Sequence, residues 1–227
     1  MALEVERKYC HVDFARLRAR LRELGASDLG RYFERNVVYE SDPPALLAQK
    51  KLLRLRSCFQ AGQAPSYLLT LKAPVSEAKQ CAGCKVRRED EVQVSSAETM
   101  DAILQGQGFL PFACYEKIRE AWQAGSLAVD LDILPFGHFV ELEGEVAAIE
   151  TWARDLELAL FRQSTQSYHA LYQDWLQNKG LHGGPSFVFS EALRQIWAER
   201  LGLGPLPALP DIFRSSAVSC LNEGAGV

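Results

Sequence analysis

Ala2-Leu3-Glu4-Val5-Glu6-Arg7-Lys8-Tyr9-Cys10 alternates through nine residues, with Leu3, Val5 and Arg7 on one face and Glu4, Glu6 and Lys8 on the other. A period of two is that of a β-strand. The second face is unusual, because it carries three long charged side chains in succession.

The same arrangement recurs along the chain. Residues 52–59 oppose Leu53 and Leu55 to Arg54 and Arg56, and later strands expected over 67–73, 85–94, 114–122, 126–134 and 136–146 carry further charged faces. These hold Lys72, then Lys85, Arg87, Glu89 and Glu91, then Lys117 and Arg119, then Asp130 and Asp132, then Glu141 and Glu143. With a β-rich stretch at 32–39, about eight strands are expected. Helices are expected from Asp13 to Gly25 (Phe14, Leu17, Leu21 and Leu24 at helical spacing), over 97–107, over 149–161 and over 168–176. Gly125 and Pro135-Phe136-Gly137 supply turn chemistry between neighbouring strands, so the sheet should be antiparallel. The expected fold class is therefore α+β: a closed eight-stranded antiparallel β-barrel, or tunnel, with helices packed outside.

A solvated sheet face would mix polar residue types without order. Here the signs are segregated: three strands carry carboxylate pairs and two carry cation pairs. Like charges side by side repel unless something of opposite sign lies between them. Paired carboxylates suit a hard divalent cation such as Mg²⁺ or Mn²⁺, and paired Arg and Lys suit a phosphate chain. Counted along the strands, eight candidate inward cations face eight candidate inward carboxylates. One or two divalent ions would leave a surplus comparable to the charge of a triphosphate.

Composition narrows the field further. A net charge of -4 and a pI near 5.7 argue against a binder of nucleic acid duplexes. Met-Ala-Leu-Glu-Val-Glu-Arg-Lys lacks the apolar core of a signal peptide, and no run of about 18 apolar residues occurs, so a cytoplasmic protein without a membrane partner is expected. Six scattered cysteines in a chain of this length read as free thiols. Cys81-x-x-Cys84 has metal spacing, but no second pair completes a zinc site.

The charged strands also carry a resemblance. Glu4-x-Glu6-x-Lys8 resembles the ExExK signature of the CYTH, or triphosphate tunnel metalloenzyme, superfamily, whose members include class IV adenylyl cyclases, thiamine triphosphatases and inorganic triphosphatases. Leu53-Arg54-Leu55-Arg56, Leu69-Thr70-Leu71-Lys72, Arg87-x-Glu89-x-Glu91, Lys117-x-Arg119, Val129-Asp130-Leu131-Asp132, the run from Gly137 to Glu143, and Ser167-Tyr168 follow in the family's order. The resemblance spans roughly residues 2–178. It implies a barrel that hydrolyses a triphosphate with Mg²⁺ or Mn²⁺. It implies Glu4 and Lys8 as catalytic residues, Glu4, Glu6, Asp132, Glu141 and Glu143 as metal ligands, and Arg54, Arg56, Lys72, Arg87, Lys117 and Arg119 as the phosphate cradle. Cyclisation of ATP to cyclic AMP in the same tunnel is the alternative reaction, and a non-catalytic polyphosphate- or nucleotide-binding module is the alternative of another class. Some triphosphatase members carry a Lys before the closing Tyr, where Gln166-Ser167-Tyr168 has none.

His11, His138, His169 and His182 show no ligand spacing and read as solvated or core-rim residues. Arg16, Arg18, Arg20 and Arg22 read as a solvated helix surface. Gly183-Gly184-Pro185 reads as a break, dividing a tunnel domain (1–178) from a linker, amphipathic helix and Pro-rich tail (179–227). In that helix Ser190 is the expected cap, and Leu193, Ile196, Trp197 and Leu201 form an apolar stripe. The stripe should pack against the barrel or against a second copy of the chain as a homodimer, and the tail is expected to be dispensable for chemistry.

Overall fold

The computed structural model describes residues 2–76, 81 and 83–214. Among the described residues nine strands are present: β1 (Ala2–Cys10), β2 (Ser27–Ser41), β3 (Leu52–Phe59), β4 (Ser66–Pro74), β5 (Lys85–Val94), β6 (Phe109–Ala124), β7 (Leu127–Leu134), β8 (Gly137–Glu143) and β9 (Arg162–Ser164). They hydrogen-bond in the order β5-β4-β3-β2-β6-β7-β8-β1-β9, and β1 also pairs with β5, which closes eight of them into an antiparallel barrel. Closure removes every edge of the eight-stranded wall except where strands differ in length. The added β9 pairs with β1, Lys8 lying opposite Ser164.

Seven α-helices among the described residues accompany the strands: α1 (Phe14–Glu23), α2 (Ala45–Ala48), α3 (Ala97–Gly106), α4 (Val146–Asp155), α5 (Tyr168–Asn178), α6 (Glu191–Arg200) and α7 (Asp211–Arg214). Asp13 caps α1 by accepting from the Ala15 and Arg16 amides, and the Ser96 hydroxyl caps α3. The helix expected over 149–161 is shorter. α4 ends at Asp155, Glu157 adopts a left-handed conformation (φ 57°), and one 3-10 turn over Leu158–Leu160 leads into β9. β2 and β6 extend several residues beyond the expected strands because they pair with each other, from Ser27 opposite Gln123 to Ser41 opposite Phe109.

The apolar core lies outside the barrel. Val129, Leu131, Val140 and Leu142 project outward from β7 and β8 and meet Phe14, Leu17 and Leu21 of α1 and Ile149 and Ala153 of α4. Each such fully buried aliphatic side chain contributes about 1.5–3 kcal/mol, so the helices stabilise the wall from without and leave its inner face free for charge. Arg18 is not merely solvated, since its Nε donates to both oxygens of Glu120 at 3.0 and 2.9 Å.

At one end the inward face turns apolar. Cys10, Val38, Ala113, Leu134 and Phe139 pack there against Tyr168, Leu171, Tyr172 and Leu176 of α5, with Phe187 among them. Residues beyond Gly184 return to the barrel at once. Phe187, Val188 and Phe189 are all buried, and α6 packs against Phe33 and Ile118 through Leu193 and Trp197. Ile196, expected in that apolar stripe, is exposed. No helix among the described residues is long and apolar enough to cross a membrane.

Candidate functional site

The inward faces enclose a cavity of about 170 Å³ lined by seven cationic residues (Lys8, Arg54, Arg56, Lys72, Lys85, Lys117 and Arg119) and six carboxylates (Glu4, Glu6, Glu89, Glu91, Glu141 and Glu143). Register explains the convergence. Glu6 lies opposite Lys85 on one side and Glu143 on the other, and Lys8 lies opposite Glu141, so strand alternation aims all of them into the same space.

Three carboxylates form one cluster: Glu4, Glu89 and Glu143 each place an oxygen within 4.8 Å of the others. Lys72 Nζ reaches into it, donating to both Glu4 oxygens at 2.6 and 2.7 Å and lying 3.0 Å from Glu89. Burial, and then the neighbouring charge of Glu4, push the Glu143 carboxyl up to about 7. Burial also raises Glu4, against the attraction of Lys72. Crowded carboxylate oxygens that already draw in an ammonium are a donor set suited to a hard divalent cation. It is the one group of three potential metal ligands among the described residues.

The structure brings only part of the expected ligand set together. Glu4 and Glu143 converge as anticipated, and Glu89, an inward acid left out of that set, joins them. Glu6 accepts from Lys85 at 2.7 Å, and Glu141 pairs with Lys8 at 2.6 Å and Arg119 at 2.6 Å. Asp132 lies behind the cavity lining, fully buried, and accepts from Lys117 at 2.9 Å, from Arg119 at 2.7 and 2.6 Å, and from the Tyr168 hydroxyl at 2.8 Å. With its lone pairs so engaged, it orients cations. Asp130 pairs with Arg119, and burial pushes its carboxyl up to about 6.

Of the expected phosphate cradle, Arg54, Arg56, Lys72, Lys117 and Arg119 line the cavity. Arg87 does not, because its Nη2 turns to the Lys50 carbonyl at 2.5 Å. Lys8, catalytic in expectation, sits between Glu6 and Glu141 with its ammonium 4.5 Å from the centre of the Tyr168 ring. Burial disfavours its charge, but the two carboxylates outweigh burial and raise its pKa, so it is a fixed cation.

Several participants escaped the sequence reading. Glu34, fully buried on β2, pairs with Arg56 and Lys117, each at 3.4 Å. Despite burial, Arg56 and Lys117 hold its carboxyl far below the usual range. With Glu34, Asp130 and Asp132 counted behind the lining, nine carboxylates face the same seven cations. Among the described residues the interior is therefore acidic by two, not balanced. Tyr115 lines the cavity and accepts from Arg54 Nη1 at 3.2 Å. Burial raises its phenol, but Arg54, Arg56 and Lys117 bring it below its ordinary value. His169 also lines the cavity, whereas His138 stacks on Phe14 outside the barrel. Glu34 and Tyr115 share the inward parity of Asn36 and Lys117, and this was the available signal.

Two polar atoms at the cavity are buried without a hydrogen-bond partner among the described residues, Arg54 Nε and His169 Nε2. Such atoms are rare in native proteins unless a ligand or water completes them. A second chamber of about 290 Å³ adjoins the first through Arg56 and is lined by Tyr32, Glu34, Cys58, Gln60, Tyr67 and Gln93, among others.

The CYTH domain family model matches residues 2–169. Among curated protein sequences, none matches this chain. Solved structures do. A candidate adenylate cyclase from Vibrio parahaemolyticus is 20% identical, with a TM-score of 0.61 over 75% of this chain and 98% of that one. The PH1819 protein of Pyrococcus horikoshii OT3 is 22% identical, with a TM-score of 0.62 over 75% and 98% of the two chains. A candidate adenylyl cyclase from Hippeastrum with a dominant triphosphatase activity is 16% identical, with a TM-score of 0.55 over 75% and 95%. At these identities the structural likeness speaks for the barrel alone. The family model, which runs from β1 through β9 to the start of α5, covers every strand that builds the charged cavity, and the chain belongs to the CYTH domain family.

Proposed function

We propose that the protein is a metal-dependent phosphoanhydride hydrolase that cleaves a triphosphate inside the barrel. The observation that carries this reading is a single cavity whose walls hold seven cationic side chains beside a cluster of three carboxylates. Cations of this density bind phosphate oxygens through charge-assisted hydrogen bonds. Glu4, Glu89 and Glu143 would hold Mg²⁺ or Mn²⁺, which when bound supplies the positive charge that polarises the phosphates. Lys8, permanently charged, faces the developing charge at the reacting end. Arg54, Arg56, Lys72, Lys117 and Arg119 hold the chain in line for water. The new P–O bond forms from that water as the bridging P–O bond breaks, the remaining phosphates leave with the electron pair, and the proton lost by the water passes to the departing phosphate or to solvent.

The second chamber favours a substrate that carries an organic group on its phosphates. For ATP, the alternative to hydrolysis is attack of the ribose 3′-hydroxyl on the α-phosphorus, releasing diphosphate and cyclic AMP. The test is a panel of inorganic triphosphate, thiamine triphosphate and ATP with Mg²⁺ or Mn²⁺, scoring phosphate and cyclic AMP. Phosphate release that stops in chelator is expected, and Arg56→Ala should raise the Kd of the preferred substrate about tenfold. Release of neither product from any of the three would overturn the reading.

Glu143 also makes the metal affinity depend on pH. It must lose its proton to ligate, and its pKa stands at about 7. Mn²⁺ affinity should therefore rise about tenfold per pH unit up to about pH 7 and level off above. A flat profile in calorimetric titrations across that range would remove Glu143 from the ligand set.

A further inference from the structure

The wall of the barrel is completed by residues outside the matched family domain. β7 pairs with β6 only along Ile118–Ala124, so the edge of β6 before Ile118 has no partner from β7. The chain beyond Pro185 fills this edge. Phe187 N donates to the Cys114 carbonyl at 3.0 Å, Glu116 N donates to the Phe187 carbonyl at 3.1 Å, and the Ser186 hydroxyl accepts from Cys114 N at 3.1 Å. The segment is anchored from behind. Arg35 and Arg194 both engage Glu116, and both donate to the Pro207 carbonyl, at 2.7 and 2.5 Å.

Phe187 has no solvent exposure, and its ring meets two residues that line the cavity. It stacks on Tyr115 with centroids 5.1 Å apart at 26°, and meets His169 edge-on at 5.1 Å. His169 in turn stands edge-on to Tyr115 at 5.2 Å. The Tyr115 hydroxyl is the acceptor for Arg54 Nη1, and the same guanidinium donates to Thr70 and lies within 4 Å of Glu89 and Glu91. A chain of contacts therefore runs from the C-terminal segment to a phosphate-facing arginine. Arg54 has a long side chain with many rotamers, so fixing its guanidinium in advance spares ordering cost when an anion arrives.

We propose that the 186–189 segment is an integral part of the substrate cavity, in which Phe187 is a positioning residue that holds Tyr115 and, through its hydroxyl, aims Arg54 at the bound triphosphate. The inference rests on the cavity being the triphosphate site, and it reverses the expectation that everything beyond residue 178 is dispensable for chemistry. Tyr115 belongs to the matched domain, but what packs behind its ring does not. Loss of the Phe187 ring leaves Tyr115 and His169 with space on the side away from the cavity, and Arg54 loses its fixed acceptor.

The test is a double-mutant cycle read by calorimetric binding of inorganic triphosphate to the full chain in the presence of Mn²⁺. Phe187→Leu and Tyr115→Phe should each weaken binding about tenfold, the order expected for one charge-assisted contact, and the double variant should be weaker than either single one by less than about twofold. Leu193→Ala loosens the packing of α6 on Phe33 and Ile118, outside the 186–189 segment and the contacts that lead to Arg54, and should leave the Kd unchanged. Additive losses in the cycle would reduce Phe187 to a structural residue, and an unchanged Kd in Tyr115→Phe, which keeps the ring and its packing, would overturn the proposal even if Phe187→Leu failed to fold. If the unaltered protein does not bind triphosphate, the functional reading fails by itself. A crystal structure of Phe187→Leu then decides the positioning claim, which is overturned if the hydrogen bond from Arg54 to Tyr115 survives.

Discussion

Replacing Glu143 with Gln should lower metal-dependent turnover by about 10²–10³-fold or more while raising the melting temperature of the metal-free protein. Both effects have one cause. Glu4, Glu89 and Glu143 are held together by the register of β1, β5 and β8, and their mutual repulsion is relieved by Lys72, by Arg54 beside Glu89, by a proton or by a divalent ion. The raised affinity of Glu143 for its proton means that the folded state binds this proton more tightly than the unfolded chain. Its contribution to stability is then highest below the unfolded value of 4.5 and is lost as pH rises through about 7. At pH 8 the penalty is complete. The gap between 4.5 and about 7 sets an upper limit near 3 kcal/mol, and about 1–2 kcal/mol remains after allowance for solvent screening of a partly exposed side chain. Gln keeps the volume and drops the charge, so the variant should melt a few degrees higher at pH 8 in chelator, at about 2–4 °C per kcal/mol. A variant that melts lower, or that keeps full metal-dependent activity, would remove Glu143 from the proposed ion site.

The inward charges were readable from sequence because alternation on a strand is a local property. Glu4, Glu6 and Lys8 declare their shared face without knowledge of any neighbour, and so do Lys117 with Arg119 and Glu141 with Glu143. What strand parity cannot convey is depth along the barrel. Asp132 and Glu141 both face inward, yet Asp132 is sealed beneath Arg119 and Tyr168 while Glu141 reaches the cavity. Arg87 shares its face with Lys85 and Glu89 but turns to the Lys50 carbonyl. Such differences depend on strand tilt and on which strands close the barrel, and the pairing of β1 with β5 joins residues 79 to 87 positions apart in the chain.

Glu34 was missed for a different reason. On β2 the inward positions Tyr32, Glu34, Asn36 and Val38 mix aromatic, acidic, amide and aliphatic side chains, so no run of like charge marks the face. The outward face adds to the ambiguity, because Arg35 is buried as well, against Glu116 and beneath the C-terminal segment. A strand covered on both sides loses the polar-apolar alternation that makes a half-exposed strand legible. The contacts of the C-terminal segment were hidden for another reason: Gly183-Gly184-Pro185 reads as a domain break, and only the unequal lengths of β6 and β7 show that an edge awaits a partner.

Replacing Arg119 with Met should be the most damaging single change in the barrel interior, and it should act on stability and binding together. The guanidinium donates to both oxygens of Asp132, to Glu141, and pairs with Asp130, so it compensates three carboxylates at the acidic end of the charge balance. Asp132 has no solvent exposure, and Asp130 and Glu141 have little. Removing one partner from a buried pair costs about 3–5 kcal/mol, because the remaining charge can be neither hydrated nor paired. The melting temperature should fall on the order of 10 °C. Binding and folding are separable by adding Asp132→Asn, which removes the most deeply buried stranded charge. The double variant should recover much of the stability, since the neutral amide introduced there would still be met by Lys117 and Tyr168, but it should not recover triphosphate affinity, because no cation replaces the one that faced the phosphates. Recovery of both by the double variant would show that Arg119 serves only to neutralise the wall. A melting temperature within about 2 °C of the unaltered protein for Arg119→Met alone would mean that the nine interior carboxylates are compensated by protons or ions to a degree that makes the seven cations individually expendable.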